Sequence, residues 1–168
     1  MTSRRMERDM LQFQPSPAQI SIRLARQGDA EAISQMIVAA LRAMHGPDYP
    51  PATIEAIAAD FSPARLRSKM AQRKTIVAMS GSGIVGTAGL EAARVHAVFV
   101  APGWQRQGIG SALMNEIEHL ASCGQCSQIA LWSGVAAQQF YTKRGYETLR
   151  RQVNQNVPTF LMRKSLVR

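Results

Sequence analysis

A strand, a glycine-rich loop and a helix start follow one another within residues 95–113, and this arrangement constrains the fold more than any other part of the chain. The apolar run Val95–Val100 leads to Pro102, the loop Gln105-Arg106-Gln107-Gly108-Ile109-Gly110 follows, and an amphipathic segment begins at Ser111. The start of a helix leaves about four backbone N–H groups without intrahelical partners and carries about half a positive charge. Glycines let the backbone approach an anion closely because no Cβ intervenes. The segment therefore predicts a phosphate-binding turn.

Two common phosphate-binding motifs do not fit this loop. A dinucleotide fingerprint needs a third glycine and an acidic residue about 20 positions later, where this chain has Cys126 and its neighbours. A Walker A loop needs Gly-Lys followed by Ser or Thr, which does not occur. The loop instead resembles the Gln/Arg-x-x-Gly-x-Gly/Ala motif of the GNAT superfamily of acetyl-CoA-dependent N-acetyltransferases. In that family the loop amides hold the pyrophosphate of coenzyme A.

A second segment resembles the same family. Phe140-Tyr141-Thr142-Lys143-Arg144-Gly145-Tyr146 is similar to the family's Phe-Tyr-x-x-x-Gly-Phe/Tyr pattern. There a short helix presents its tyrosine to the sulfur of coenzyme A, and the chain turns at the glycine into the next strand. The resemblance extends over residues 20–165, and it implies that Tyr141 is the general acid.

The pattern of apolar residues predicts alternating strands and helices. Strands are predicted at 20–26, 75–79, 84–92, 95–100, 128–132, 146–152 and 159–164. Helices are predicted from an N-cap at Asp29 to about Met44, at 52–60, at 63–72 after Ser62, at 109–122 and at 135–143. The fourth and fifth strands, joined by a helix, form a right-handed parallel unit, and the other pairs are antiparallel. We therefore expect an α/β fold with a mixed sheet of about seven mostly antiparallel strands, the GNAT order, with the parallel pair splayed apart.

Length and composition favour one globular domain. With 168 residues, of which 46% are hydrophobic, the chain can bury a sizeable core. Residues 1–19 read as a polar arm and 20–168 as a single acetyltransferase domain. No apolar run is long enough to span a membrane, and the first residues lack the apolar stretch of a signal peptide, so we expect a cytoplasmic protein. A homodimer is left open.

The net charge of +9 has two interpretations. A positive surface speeds the capture of a polyanion such as coenzyme A. The alternative is a non-catalytic module that binds acyl-CoA or nucleic acid. No helix-turn-helix, RNA-recognition or zinc signature supports a nucleic-acid partner, and we do not expect one.

The resemblance implies which residues bind acetyl-CoA. Backbone groups of the fourth strand pair with the pantetheine arm, and the loop and helix start surround the pyrophosphate. The residues carried over to this chain are Val98, Phe99, Val100, Arg106, Gln107, Gly108, Ile109, Gly110 and Ser111. The side chains of Val98 and Val100 are expected to pack in the core, and a backbone N–H near Val98 is the expected oxyanion donor.

Direct attack of an amine on a thioester needs a general base, and two residues compete for that role. Strand alternation places His96 on one face with Val98 and Val100, and the pKa of a histidine suits a base at neutral pH. Glu91, at the end of the previous strand, is the competitor. No metal is expected.

The sequence indicates a few candidate residues for the site that binds the acceptor amine. His45, Asp48, Tyr49 and Trp132 are the polar or aromatic candidates near the pocket. The chain departs from the family at Gly134, where many members have an asparagine that contacts the coenzyme A arm.

The two cysteines form Cys123-Gly-Gln-Cys126, which resembles a thioredoxin-type motif. They follow the C-terminal end of a predicted helix, where the dipole disfavours a thiolate, and two cysteines supply only half a zinc site. A tight turn at Gly124 is the favoured interpretation.

Overall fold

The computed structural model describes residues 19–44, 49–81, 83–154 and 156–166. The strands are β1 (Ile20–Leu24), β2 (Lys74–Ser80), β3 (Gly83–Glu91), β4 (Arg94–Val100), β5 (Gln128–Gly134), β6 (Glu147–Asn154) and β7 (Val157–Ser165). The α-helices are α1 (Ala30–Arg42), α2 (Pro51–Ala59), α3 (Pro63–Gln72), α4 (Ile109–Cys123) and α5 (Val135–Lys143). Element types and order agree with the sequence-based prediction. Nearly all of the predicted N-terminal arm lies outside the described residues.

The strands form one mixed sheet in the order β1-β2-β3-β4-β5-β7-β6. The β4 and β5 pair is parallel and joined through α4, and the other neighbours are antiparallel. In the part of the chain that the structure describes, β4 and β5 are in register only at Arg94 and Ala130. Beyond this point the two strands separate, which confirms the expected splayed pair.

Apolar side chains pack on both faces of the sheet. One core lies between the sheet and α4 and includes Leu113, Met114 and Ile117, none of which is exposed. The other lies beneath α1, α2 and α3. We call these the α4 face and the α1–α3 face. No helix in the described ranges is long and apolar enough to cross a membrane.

The local signals predicted for two helix starts have different outcomes. Ser62 accepts a hydrogen bond from the backbone N–H of Arg65, and Pro63 is the first residue of α3, as predicted. Asp29 precedes α1 but makes no side-chain cap. Its carboxylate instead accepts hydrogen bonds from the Arg23 guanidinium and the Arg26 N–H, because β1 ends at Leu24 and a short 3-10 turn brings these groups to it.

A β-bulge in β4 changes which face its residues occupy. Gly89 of β3 is opposite His96, whereas Thr87, two residues earlier, is opposite Phe99, three residues later. Ala97 has a positive φ of 50° and absorbs the extra residue. The predicted shared face of His96, Val98 and Val100 is therefore wrong. The two valines pack on the α4 face, whereas His96 lies on the α1–α3 face with Phe99.

Candidate active site

The loop before α4 has the backbone of an anion-binding turn. Gly103 and Gly108 have φ of 81°, and Arg106 has φ of 60°. The Gln107 side chain donates a hydrogen bond to the Gly103 carbonyl and holds the loop closed. Gly108 is the N-cap residue of α4 and has no side chain that could accept from the first N–H groups of this helix. The first N–H groups of α4 are therefore available to a ligand.

The two glycines at the start of α4 have different roles. A Cβ at Gly108 would meet no atom of the described residues within 4 Å, so this glycine provides open space and a left-handed backbone. A Cβ at Gly110 would lie 3.4 Å from the Phe140 ring and 3.9 Å from Val100. Gly110 therefore lets α4 pack against α5, and Gly108 is the position whose missing side chain opens the turn. Arg106, Gln107 and Gly108 are exposed, whereas the side chain of Ile109 belongs to the core.

The edge of β4 toward β5 is open from the point where the strands separate. The side chains of Val98 and Val100 pack in the core on the α4 face, as predicted. Phe99 points to the opposite face and meets the Phe61 ring edge-on at 5.3 Å between ring centres. Backbone groups of β4 can thus pair with an extended ligand without disturbing these side chains.

Tyr141 lies in α5 and is buried among aromatic rings. Its ring meets Phe140 at 5.0 Å and Tyr146 at 5.6 Å between ring centres. Burial raises the pKa of the Tyr141 hydroxyl far above its usual value, and nearby Arg144 opposes this only in part. None of the described residues hydrogen-bonds this hydroxyl. Tyr141 is therefore protonated at neutral pH and has a proton to donate.

Tyr146, after the turn at Gly145, has a hydroxyl with a fixed partner. It donates a hydrogen bond of 3.2 Å to Glu118 of α4. Glu118 also pairs with Arg144 at 3.3 Å and Lys164 at 2.8 Å. This network ties α4 to the segment after α5 and to β7. It was not anticipated from the sequence, because its members are distant along the chain.

His96 and Glu91 come together at the start of the opening between β4 and β5. The His96 Nε2 lies 3.6 Å from a Glu91 carboxylate oxygen, too long for a hydrogen bond, and makes none with the described residues. Burial, followed by the positive charge of Arg73, lowers the pKa of His96 despite the opposing effect of Glu91. The imidazole is therefore neutral at neutral pH, and Nε2 can accept a proton when Nδ1 carries the ring hydrogen. Both residues line an open cleft of about 530 Å³ together with Arg94 and Ala130.

Arg73 and Thr75 lie on the same stretch of the sheet as His96, and the sequence analysis did not single them out. Thr75 is opposite Gly89, which is opposite His96, so the three positions form one row across β2, β3 and β4. The Arg73 side chain covers Gly89, where a Cβ would lie 3.0 Å from Nε. A glycine inside a strand often marks a place where another group approaches closely. Gly89 is therefore the sequence feature that could have indicated a side chain packed over this part of the sheet.

Tyr49 and Trp132 lie at the other end of the opening. The Tyr49 hydroxyl is buried without a hydrogen-bond partner in the described ranges, and it lies 2.6 Å from where a Cβ of Gly134 would be. Tyr49 thus occupies the space that a side chain at position 134 would take. Trp132 is 38% exposed, and the Arg150 guanidinium stacks on its ring at 5.3 Å. The other two candidates, His45 and Asp48, lie outside the described residues.

Cys123 ends α4, and neither it nor Cys126 forms a disulfide. The Cys126 thiol lies 3.7 Å from the Ala92 carbonyl, and Cys123 lies 3.6 Å from a ring nitrogen of His119. No group of three or more His, Cys, Asp or Glu that could hold a metal occurs within the described ranges.

Comparison with known proteins agrees with this geometry. The family profile described as an acetyltransferase (GNAT) domain matches residues 45–166, which is most of the chain. The chain therefore belongs to the GNAT acetyltransferase family. It is an acyltransferase by class. A comparison with curated protein sequences returned no match.

Several solved structures share the fold. A GCN5-related N-acetyltransferase from Rhodopseudomonas palustris is 24% identical, with a TM-score of 0.81 over 87% of this chain and 95% of its own. The PaiA N-acetyltransferase of Thermoplasma acidophilum, in complex with coenzyme A, is 18% identical, with a TM-score of 0.76 over 88% of this chain and 99% of its own. YncA of Salmonella typhimurium, with its cofactor acetyl-CoA, is 15% identical, with a TM-score of 0.64 over 88% and 94%.

Proposed function

We propose that this protein transfers the acetyl group of acetyl-CoA to a primary amine by direct attack within a ternary complex. The observation that carries the proposal is the position of His96. Its Nε2 is neutral and buried beside Glu91, without a hydrogen-bond partner among the described residues, and His96 lines the open cleft where β4 and β5 begin to separate. A general base at this position would lie next to the strand edge along which a thioester can lie.

Acetyl-CoA fits the loop and the strand edge. The uncapped start of α4 and the open space at Gly108 suit the pyrophosphate, and Arg106 adds a charge at the rim. The free edge of β4 suits the amide groups of the pantetheine arm. Coenzyme A and acetyl-CoA bound to the PaiA and YncA structures support this assignment by shared fold.

The amine nitrogen attacks the thioester carbonyl carbon, and the carbon–sulfur bond breaks. His96 takes the proton that the amine loses, and Glu91 stabilises the resulting imidazolium from 3.6 Å. The bulge at Ala97 disrupts the ladder between β3 and β4, which supports a backbone N–H near Val98 as the proposed oxyanion donor.

Tyr141 returns a proton to the departing thiolate. Its high pKa keeps it protonated, and its hydroxyl has no competing partner in the described ranges. His96 thus receives one proton from the amine, and Tyr141 gives one proton to the thiolate. The products are an amide and a free thiol.

An acetyl-CoA consumption assay tests the proposal. The protein is incubated with acetyl-CoA and a panel of amino acids, polyamines, aminoglycosides and peptides, and the free thiol and the acetylated amine are measured together. We expect amine-dependent thiol release with an equal amount of amide. Tight acetyl-CoA binding with no amide from any amine would contradict the catalytic proposal and favour an acyl-CoA-binding role.

A further inference from the structure

Among the polar atoms that are buried without a hydrogen-bond partner in the described part of the chain, three belong to one region of the sheet. They are Oγ1 of Thr75, Nε of Arg73 and Nε2 of His96. A buried polar group without a partner is destabilising, so three along one row of the sheet indicate a site for a group that satisfies them.

The sheet register brings these atoms together. Thr75, Gly89 and His96 are successive partners across β2, β3 and β4, so their side-chain positions share a face and lie about 5 Å apart from strand to strand. Gly89 has no side chain, and the Arg73 guanidinium fills that space, 3.4 Å from the Cβ position at its Cζ. Arg73 therefore lies between the Thr75 hydroxyl and the His96 imidazole.

The charges around this row favour an anion. The charged groups that act on His96 are Arg73, Arg94, Lys69 and Glu91, which makes three cations and one carboxylate. Lys69 donates a hydrogen bond to the Asp60 carbonyl and lies over the Phe61 ring, whereas the buried Arg73 Nε has no hydrogen-bond partner among the described residues. A purely cationic amine would be repelled here, and an amine that carries a negative group would be attracted.

We infer that the acceptor is a small amino acid, with its amine at His96 and its carboxylate held by Arg73 and Thr75. The inference rests on the proposed function. A guanidinium and a hydroxyl together offer the donors that a carboxylate accepts. Gly89, which the Arg73 side chain covers, and His96 lie on neighbouring strands about 5 Å apart. This distance suits an amine and a carboxylate that are separated by one or two carbon atoms.

Equilibrium binding tests the inference without turnover. The protein is saturated with coenzyme A, which cannot transfer an acetyl group, and titrated with each of the common amino acids and its carboxamide. Arg73→Met removes the guanidinium, and Thr75→Val removes the hydroxyl while keeping the shape. The control is Lys74→Met, which removes one positive charge from the next residue, on the opposite face of the sheet.

We expect at least one amino acid to bind roughly ten- to one-hundredfold more tightly than its carboxamide, the range of a charge-assisted hydrogen bond. Arg73→Met should abolish that preference, Thr75→Val should reduce it, and Lys74→Met should leave it intact, with coenzyme A affinity unchanged in all three. Thr75→Val decides the matter if Arg73→Met does not fold.

Equal binding of acids and carboxamides by the wild-type protein would overturn the inference, and so would the absence of binding by any amino acid. Equal weakening of both ligands by Arg73→Met would assign Arg73 a purely structural role. The proposed function fails separately, by the absence of amide formation with any amine in the consumption assay.

Discussion

Replacing Tyr141 with phenylalanine separates catalysis from stability in this protein. The change keeps the ring and its edge-on contacts with Phe140 and Tyr146 and removes only the hydroxyl. Because the hydroxyl has no hydrogen-bond partner among the described residues, the free energy of unfolding should change by less than about 1 kcal/mol. If Tyr141 protonates the departing thiolate, kcat should fall by about 10²-fold or more, the lower end of general acid catalysis.

Tyr146→Phe is the matched control, because Tyr146 lies next to Tyr141 but binds Glu118. A hydrogen bond to a charged group contributes about 1.5–3 kcal/mol, and the lower end applies because Glu118 keeps Arg144 and Lys164. That loss lowers the melting temperature by roughly 3–6 °C in a chain of this size, with kcat nearly unchanged.

The assay measures kcat with acetyl-CoA saturating and the best amine from the panel, beside thermal unfolding of both variants. Wild-type kcat in Tyr141→Phe would refute the acid role and leave Tyr141 as a wall of the pocket. An equal fall in kcat in both variants would show that the aromatic cluster acts through structure alone.

Three further substitutions test the coenzyme A loop, the contact between Tyr49 and Gly134, and the α4 core. Gly108→Asp should weaken acetyl-CoA binding by at least tenfold, because it places a negative charge at the open turn and strains a φ of 81°; unchanged affinity by calorimetry would contradict the loop assignment. Gly134→Ala should cost about 1–3 kcal/mol in chemical denaturation, because its Cβ would lie 2.6 Å from the Tyr49 hydroxyl. Adding Tyr49→Phe should restore that stability, since the next ring atom is 3.8 Å away, and a double variant as unstable as the single would exclude this clash. Leu113→Ala should cost about 2–5 kcal/mol, because Leu113 is fully buried under the sheet, and a smaller loss would mean that the α4 core is loosely packed.

The sequence predicted the architecture well, because its signals are local. The glycines of the loop indicated the turn before α4, and Ser62 and Pro63 marked the start of α3. The pattern of apolar residues indicated the strands. Element ends differ by a few residues, as at β1, where the Asp29 carboxylate binds Arg23 and Arg26.

The site was less predictable, because it depends on contacts between distant residues. The bulge at Ala97 leaves no sequence signal, since alanine does not favour a positive φ, and it moved His96 to the other face of the sheet. Arg73 and Thr75 join His96 only through the register of three strands. The space above Gly134 is taken by Tyr49, which lies more than 80 residues earlier.

The role of His96 as the general base is the central claim, and the pH dependence of kcat/KM tests it most directly. A base acts when deprotonated, so kcat/KM should rise with pH through the pKa of His96, which burial and Arg73 hold below the usual histidine value. We predict that His96→Gln removes this rise and that Glu91→Gln keeps it, shifted to lower pH because the carboxylate no longer favours the imidazolium. A rise that persists in His96→Gln and disappears in Glu91→Gln would transfer the role to Glu91 and contradict this account.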